Sequence, residues 1–301
     1  MATTPKPTGA WAAHAALSQQ LAVEDALREQ LSAIGLAIAV VADGEIHRHD
    51  HPDAKRGNKR VWYVCHHDFA VWGDWGTGEQ HNVFAKGPHD PEKAERARQE
   101  AERRKRERRL AQARKHAQAA AQAQEELHRL PHADPQHPYL VKKDIKPFSL
   151  RQRGPDLVAF LTDGHGVVGY QTISPSGEKR FLAGTAKQGA YWPLGHVGDC
   201  IAVCEGVGTA IAIHMAYGRA VAAAMDCGNL KPVCLSLRER HPTVPIIVMC
   251  DNDYHRPDNP GVTHGIEAAD AVGGQAIWPA EWADMPGGMD YADLWVKGLL
   301  L

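Results

Sequence analysis

The sequence predicts an α/β protein. A parallel sheet flanked by helices occupies its C-terminal third, and before it come a small mixed α+β subdomain, a long charged helix and an N-terminal β-containing domain. Three observations carry this. Two short Val- and Ile-rich runs, 199–205 and 244–251, each end in carboxylates, and such runs read as strands buried on two faces. Helix and strand patterns then alternate over about a hundred residues, the order that builds a doubly wound sheet. Between Pro91 and Leu130 the composition shifts to Ala, Glu, Arg and Gln, all strong helix formers.

The expected domain limits are 1–89, 90–136, 137–198 and 199–301. In the first, Trp62, Tyr63, Trp72 and Trp75 interleave with Arg48, Lys55, Arg56, Lys59 and Arg60. That mixture suits stacking on single-stranded bases, with Trp62 and Trp75 as candidate contacts. It equally suits a small β domain with core aromatics. His47, His49 and His51 alternate, with Cys65-His66-His67 nearby; a zinc site and a polar segment with scattered histidines are both open readings. In the second stretch Asp90 is a good helix N-cap with Pro91 at the first helical position, and ~38 helical residues would extend about 57 Å. Its Arg103, Arg104, Arg106, Arg108 and Arg109 belong either to a solvated connector or to an arm tracking phosphates. Residues 131–138, rich in proline, end the helix.

Residues 156–171 read as a hairpin with a glycine-containing turn. Loops carrying Lys179, Arg180 and Lys187 follow. After the strand ending at Glu205 comes a helix that starts with small residues, then a strand at 219–225 and a helix at 229–240 with Asn229 as N-cap. The strand ending at Asp251 is followed by a helix at 261–272 that stops at Gly273-Gly274, and then by a strand at 275–279. Glu205, Asp251 and Asp253 thus fall at C-terminal strand ends, the edge where open parallel sheets bind ligands. Carboxylates converging there repel one another unless a cation sits between them, and a divalent metal on phosphate oxygens is the natural occupant.

A Glu-Gly pair after the first strand and Asp251-Asn252-Asp253 after the third resemble the Toprim domain of bacterial-type primases, topoisomerases and some nucleases. The resemblance implies that Glu205, Asp251 and Asp253 are catalytic and hold Mg²⁺ or Mn²⁺. Asp290 and Asp293 resemble a late acidic motif of primases, Lys-Asp-x-Asn-Asp, that would add to the metal cluster. Here the motif reads Met289-Asp-Tyr-Ala-Asp, without the lysine and asparagine. Upstream, the order of hairpin, Lys179-Arg180-Phe-Leu and Lys187-Gln-Gly resembles the N-terminal part of a primase core, with Lys179, Arg180 and Lys187 binding nucleotide or template. His137-Pro-Tyr-Leu-Val-Lys-Lys143 resembles the entry to that core in plasmid and phage primases. The segments 43–48, 57–63 and 73–78 are similar to the same group.

The implied activity is that of a DNA primase module. It would synthesise short RNA primers on a single-stranded DNA template from ribonucleoside triphosphates. The alternatives are a Toprim nuclease using the same acids and a non-catalytic single-stranded-DNA-binding protein. No Gly-x-x-x-x-Gly-Lys-Ser/Thr loop occurs, so a separate replicative helicase is expected to unwind DNA. At 301 residues the chain can hold two domains with ordinary cores. A net charge of −2 makes nucleic-acid binding a matter of local patches. The six cysteines form no Cys-x-x-Cys pair, so no zinc ribbon is expected. Cys200, Cys204 and Cys250 read as small buried hydrophobes. The absence of an apolar span or h-region leads us to expect a cytoplasmic protein without membrane contact.

Overall fold

The computed structural model describes residues 23–66, 69–84, 91–280 and 289–300, excepting the side chains of 91–98 and 101. The Asp90 cap and His67 lie outside the described residues. The chain forms two compact units, Met1–Arg108 and Arg109–Leu301.

In the first unit, helix α1 (residues 23–33) packs on a four-stranded antiparallel sheet in the order β1-β2-β3-β4. The strands are β1 (Ile46–His49), β2 (Val61–Cys65), β3 (Phe69–Asp74) and β4 (Glu79–Phe84). Period-2 alternation sends Val61, Tyr63, Cys65, Ala70, Trp72 and Val83 into one core with Val23, Leu27 and Leu31 of α1. Trp72 Nε1–H donates to Gln30 Oε1 at 2.7 Å, so its buried indole keeps a partner. Tyr63 and Trp72 are therefore core residues, whereas Trp75 is 49 % exposed. His47 binds Asp43 and stacks on Tyr63.

The charged segment is one helix, α2 (Pro91–Arg129). From 102 to 115 its side chains are almost all exposed. Its C-terminal part is anchored inside the second unit, where Ala123 and Leu127 pack with Val158, Phe160 and Tyr170. Glu126, nearly buried, holds Arg153 at 2.9 Å and the Tyr170 hydroxyl at 3.2 Å. Small alanines let the helix approach the sheet closely, which composition alone did not indicate.

The second unit continues with α3 (Pro138–Lys143) and an antiparallel sheet, β5-β6-β7-β8. Its strands are β5 (Arg151–Arg153), β6 (Asp156–Thr162), β7 (Val167–Ile173) and β8 (Lys179–Phe181). β6 and β7 form the expected hairpin, turning at Gly164 (φ +84°), a conformation glycine adopts without strain.

The second sheet of this unit contains β9 (Trp192–Leu194), β10 (Ile201–Cys204), β11 (Ala220–Ala223), β12 (Ile246–Met249) and β13 (Gln275–Ile277). Its order is β13-β12-β10-β11-β9. Four strands are parallel, and β9 pairs antiparallel with β11 at the edge. The helices are α4 (Val207–Tyr217), α5 (Leu230–Arg240), α6 (Pro260–Asp270) and α7 (Tyr291–Val296). α4 and α7 share one core and α5 and α6 the other, as a doubly wound sheet requires.

Two local expectations change. Asn229 precedes α5 but makes no side-chain cap. It is buried, accepts from Gly189 N–H, and donates to Ala190 O and Ala224 O, so it staples the ends of two strands together. Cys200 is half-buried just outside β10, while Cys204 and Cys250 are fully buried.

Candidate active site

β10 lies between β12 and β11, with Val203 opposite Val248. The chain leaves β10 to one side for β11 and returns on the other as β12. Glu205 and Asp251, each just past its strand, therefore stand together at the switch point, where an open α/β sheet leaves a crevice. Glycine makes room for them. A Cβ on Gly261, in the first turn of α6, would collide with the Asp251 carbonyl and sit 3.1 Å from Glu205 Oε1.

The loop after Asp251 is fixed by its middle residue. Asn252 is buried; its N–H donates to Met289 O at 2.8 Å and its Nδ2–H to Pro279 O at 2.7 Å. Its Oδ1 accepts from Asn259 Nδ2–H, while Asn259 Oδ1 accepts from Asp253 N–H at 3.0 Å. The Asn252–Met289 bridge brings Asp290, about forty residues downstream, to the two strand ends. Sequence reasoning assigned Asn252 no role.

Glu205 Oε1 and Asp251 Oδ1 are buried with no hydrogen-bond partner. Burial first, then the charges of Asp253 and Asp226, push Glu205 up to about 7 from 4.5. Burial, then Glu205, Asp290 and Asp253, hold Asp251 well above the usual carboxylate range. Lys179 opposes both shifts. Burial also raises Asp290, against the pull of Lys143. Asp226 was missed by sequence reasoning; its signal was the same as that of the other acids, a carboxylate just past a parallel strand.

Asp290 and Asp293 have structural duties besides their charge. Asp290 caps α7, accepting from Asp293 N–H at 2.8 Å, and Asp293 returns the bond to Asp290 N–H at 3.3 Å, a reciprocal capping box. Lys143, from the last turn of α3, reaches Asp293 at 3.3 Å and Asp290 at 3.9 Å. Both acids raise its affinity for a proton.

Beside this cluster lies a cavity of about 220 Å³, lined in part by Lys142, Lys143, Lys179, Gly206, Thr209 and Asp290. It opens on the N-terminus of α4, whose cap Gly206 supplies no side chain, so the first-turn N–H groups remain available to an anion. Gly208 lets Tyr139 approach; a Cβ there would stand 2.7 Å from the tyrosine oxygen.

The other sequence candidates lie elsewhere. Arg180 is exposed and pairs with Glu178 at 2.8 Å, and Lys187 caps the Phe181 ring at 3.9 Å. On α2, Arg103 and Arg104 pair with Glu100, Arg108 pairs with Glu45 at 3.0 Å, and Arg106 and Arg109 are exposed. Trp62 and Trp75 stack on each other in the first unit.

All the oxygen donors are carboxylates, a hard set suited to Mg²⁺ or Mn²⁺. Among the described residues, no group of three or more His, Cys, Asp or Glu is set to hold a metal ion as it stands. The two unpartnered oxygens still fit such a cation, because Mg²⁺ needs only one or two carboxylates when water and substrate phosphates complete its shell.

Residues 200–299 match the family described as the Toprim domain. The C-terminal part of the chain carries this domain, and the chain resembles primases of the plasmid type, as its motifs anticipated. It is similar to DNA primase TraC of Escherichia coli, at 29% identity over 288 residues, covering 85% of this chain and 26% of that protein. A second Escherichia coli protein of the same name is 36% identical over 118 residues, 36% of this chain and 8% of that protein. The chain thus spans about a quarter or less of the curated relatives it matches. The primase fragment of the bacteriophage T7 primase-helicase protein aligns with a TM-score of 0.37 at 14% identity, over 54% of this chain and 65% of that one. Among the described residues no helix is long and apolar enough to cross a membrane.

Proposed function

We propose that this chain is a DNA primase module that makes short RNA primers on single-stranded DNA from ribonucleoside triphosphates by Mg²⁺-dependent nucleotidyl transfer, acting in the cytoplasm beside a separate helicase. One observation carries the reading. The buried, unpartnered carboxylate oxygens of Glu205 and Asp251 neighbour residues that line a lysine-rich cavity at a helix N-terminus: Gly206 follows Glu205 in the chain, and Lys179 and Asp290 act electrostatically on both acids. A cation and a polyphosphate each find their complement there, side by side.

In the reaction, a primer 3′-oxygen attacks the α-phosphorus of the incoming nucleotide, and the bond to the pyrophosphate leaving group breaks. Glu205 and Asp251 would hold Mg²⁺ or Mn²⁺, with Asp253 and Asp290 beside them. When bound, the metal neutralises charge on the phosphates and lowers the hydroxyl pKa. Lys142, Lys143, Lys179 and the α4 N–H groups hold the triphosphate and the pyrophosphate that leaves. Asp293 holds Lys143 and Asp290 in place. To serve as a ligand near neutral pH, Glu205 would have to be deprotonated, because a ligand carboxylate must be ionised.

The test is primer synthesis on single-stranded DNA with Mg²⁺ and labelled ribonucleotides. Primers from the wild type and none from Asp251→Asn are expected. Strand cleavage without synthesis would replace the reading with the nuclease. Tight strand binding with neither activity would leave a single-stranded-DNA-binding protein.

A further inference from the structure

Among the described residues, α1 covers one face of the first unit's sheet. Tyr63 stands across from Trp72, and Cys65 from Ala70; this face buries against α1. The register defines the opposite face. Arg48 stands across from Trp62, Trp62 from Gly73 and Gly73 from Gln80, while Phe84 stands across from Phe69 at the far end.

This second face is built for flat rings. A Cβ on Gly73 would fall 3.0 Å from the Trp62 ring and 2.5 Å from Glu79 O, so glycine is what lets the indole lie across the neighbouring strand. Trp75 stacks on Trp62 with centroids 5.9 Å apart and planes at 24°. The Arg48 guanidinium sits 4.3 Å from the Trp75 ring centroid. Trp75 in the stack is 49 % exposed, and Phe84, apart from the stack at the far end of the face, is 67 % exposed. Large aromatics held in order at the surface mark an interaction site.

The charge beside the stack is positive. The β1–β2 loop carries exposed Lys55, Arg56 and Lys59. It adjoins Trp75, whose N–H donates to Arg60 O at 3.0 Å. Two acids near the stack are engaged, Asp50 in the loop and Asp74 at the end of β3. Asp50 accepts from the N–H groups of Gly57 and Lys59, and Asp74 takes the Arg60 guanidinium. Asp53 and Glu79 are the exposed counter-charges.

We propose that this face is a stacking platform for the unpaired bases of single-stranded DNA, with Trp75 and Phe84 meeting bases, Trp62 and Arg48 backing the stack, and Lys55, Arg56 and Lys59 on the phosphates. Stacking accepts any base, so the platform reads strandedness rather than sequence. A duplex keeps its base faces covered and is not a ligand. The proposal shares the single-stranded ligand with the proposed function and requires no catalysis.

The test is fluorescence anisotropy of the full chain with a labelled oligothymidylate and an abasic oligomer of equal length. Trp75→Ala should weaken oligothymidylate binding about five- to a hundredfold, the range of one base–aromatic stack. Trp75→Phe should retain most of the affinity, and exposed Phe84→Ser should lose part of it. None of the three should change binding to the abasic strand. Wild-type affinity of Trp75→Ala for oligothymidylate, or an equal loss on the abasic strand, would overturn the platform. Primer synthesis is measured separately on the same proteins. A chain that binds as described but makes no primers refutes the primase alone; one that primes while ignoring Trp75→Ala refutes the platform alone.

Discussion

Glu205→Gln should stabilise the metal-free protein at alkaline pH. Folding raises this carboxyl from 4.5 to about 7, so the folded chain keeps the proton to higher pH than the unfolded chain does. The sign follows from linkage: wild-type stability falls as pH rises from the unfolded to the folded pKa, about 4.5 to about 7, and then levels off. At ~1.4 kcal/mol per pH unit, the charged side chain costs the folded state at most about 3 kcal/mol above that window. Glutamine carries no charge and escapes the cost. For a unit the size of Arg109–Leu301, each kcal/mol moves Tm by about 2–4 °C. The assay is thermal unfolding of both proteins in a chelator at about pH 8 and about pH 4, repeated with excess Mg²⁺. The variant should melt up to about 10 °C higher at the alkaline pH and alike at the acid one. Mg²⁺ should raise the wild-type Tm by more than the variant's. A variant no more stable than wild type at the alkaline pH, or one equally stabilised by Mg²⁺, would refute the argument that two unpaired carboxylates await a cation.

Asp251→Asn should abolish primer synthesis while leaving the circular dichroism spectrum unchanged, since it relieves repulsion within a packed loop. Lys179→Ala should raise the nucleotide concentration needed for half-maximal synthesis about tenfold or more, because a charge-assisted phosphate contact contributes roughly 1.5–3 kcal/mol; Arg180→Ala and Lys187→Ala, which do not line the cavity, should each cost less. Asn229→Ala leaves three backbone groups unpaired, two of them buried, and should destabilise by about 2–4 kcal/mol in urea unfolding, whereas loss of a mere helix cap would cost about 1 kcal/mol. Replacing Arg103, Arg104, Arg106, Arg108 and Arg109 with glutamine should flatten the log–log salt dependence of single-strand binding by about 0.7 for every phosphate no longer neutralised; an unchanged slope makes the exposed stretch of α2 a connector.

Strand ends, helix alternation and the acids beyond them were legible because each is a local pattern. A buried parallel strand must be apolar throughout, and it must stop where polar residues begin, so Glu205 and Asp251 announce themselves. The sequence by itself also determined the long helix, through propensity summed over many residues, and the β6–β7 hairpin, through its turn. Pairing across long separations was not written locally. That Asn252 bridges Met289 and delivers Asp290, that Lys143 from α3 holds α7, and that Lys179 rather than Arg180 or Lys187 lines the cavity all depend on elements from distant parts of the chain meeting. The same holds for the aromatics of the first unit. Trp62 and Tyr63 are neighbours in sequence, yet strand alternation sends one to the open face and the other to the core, and only packing against α1 decided which face was closed. Local composition fixes what a segment becomes; the company its side chains keep is set by burial and register, which exist only in the folded chain.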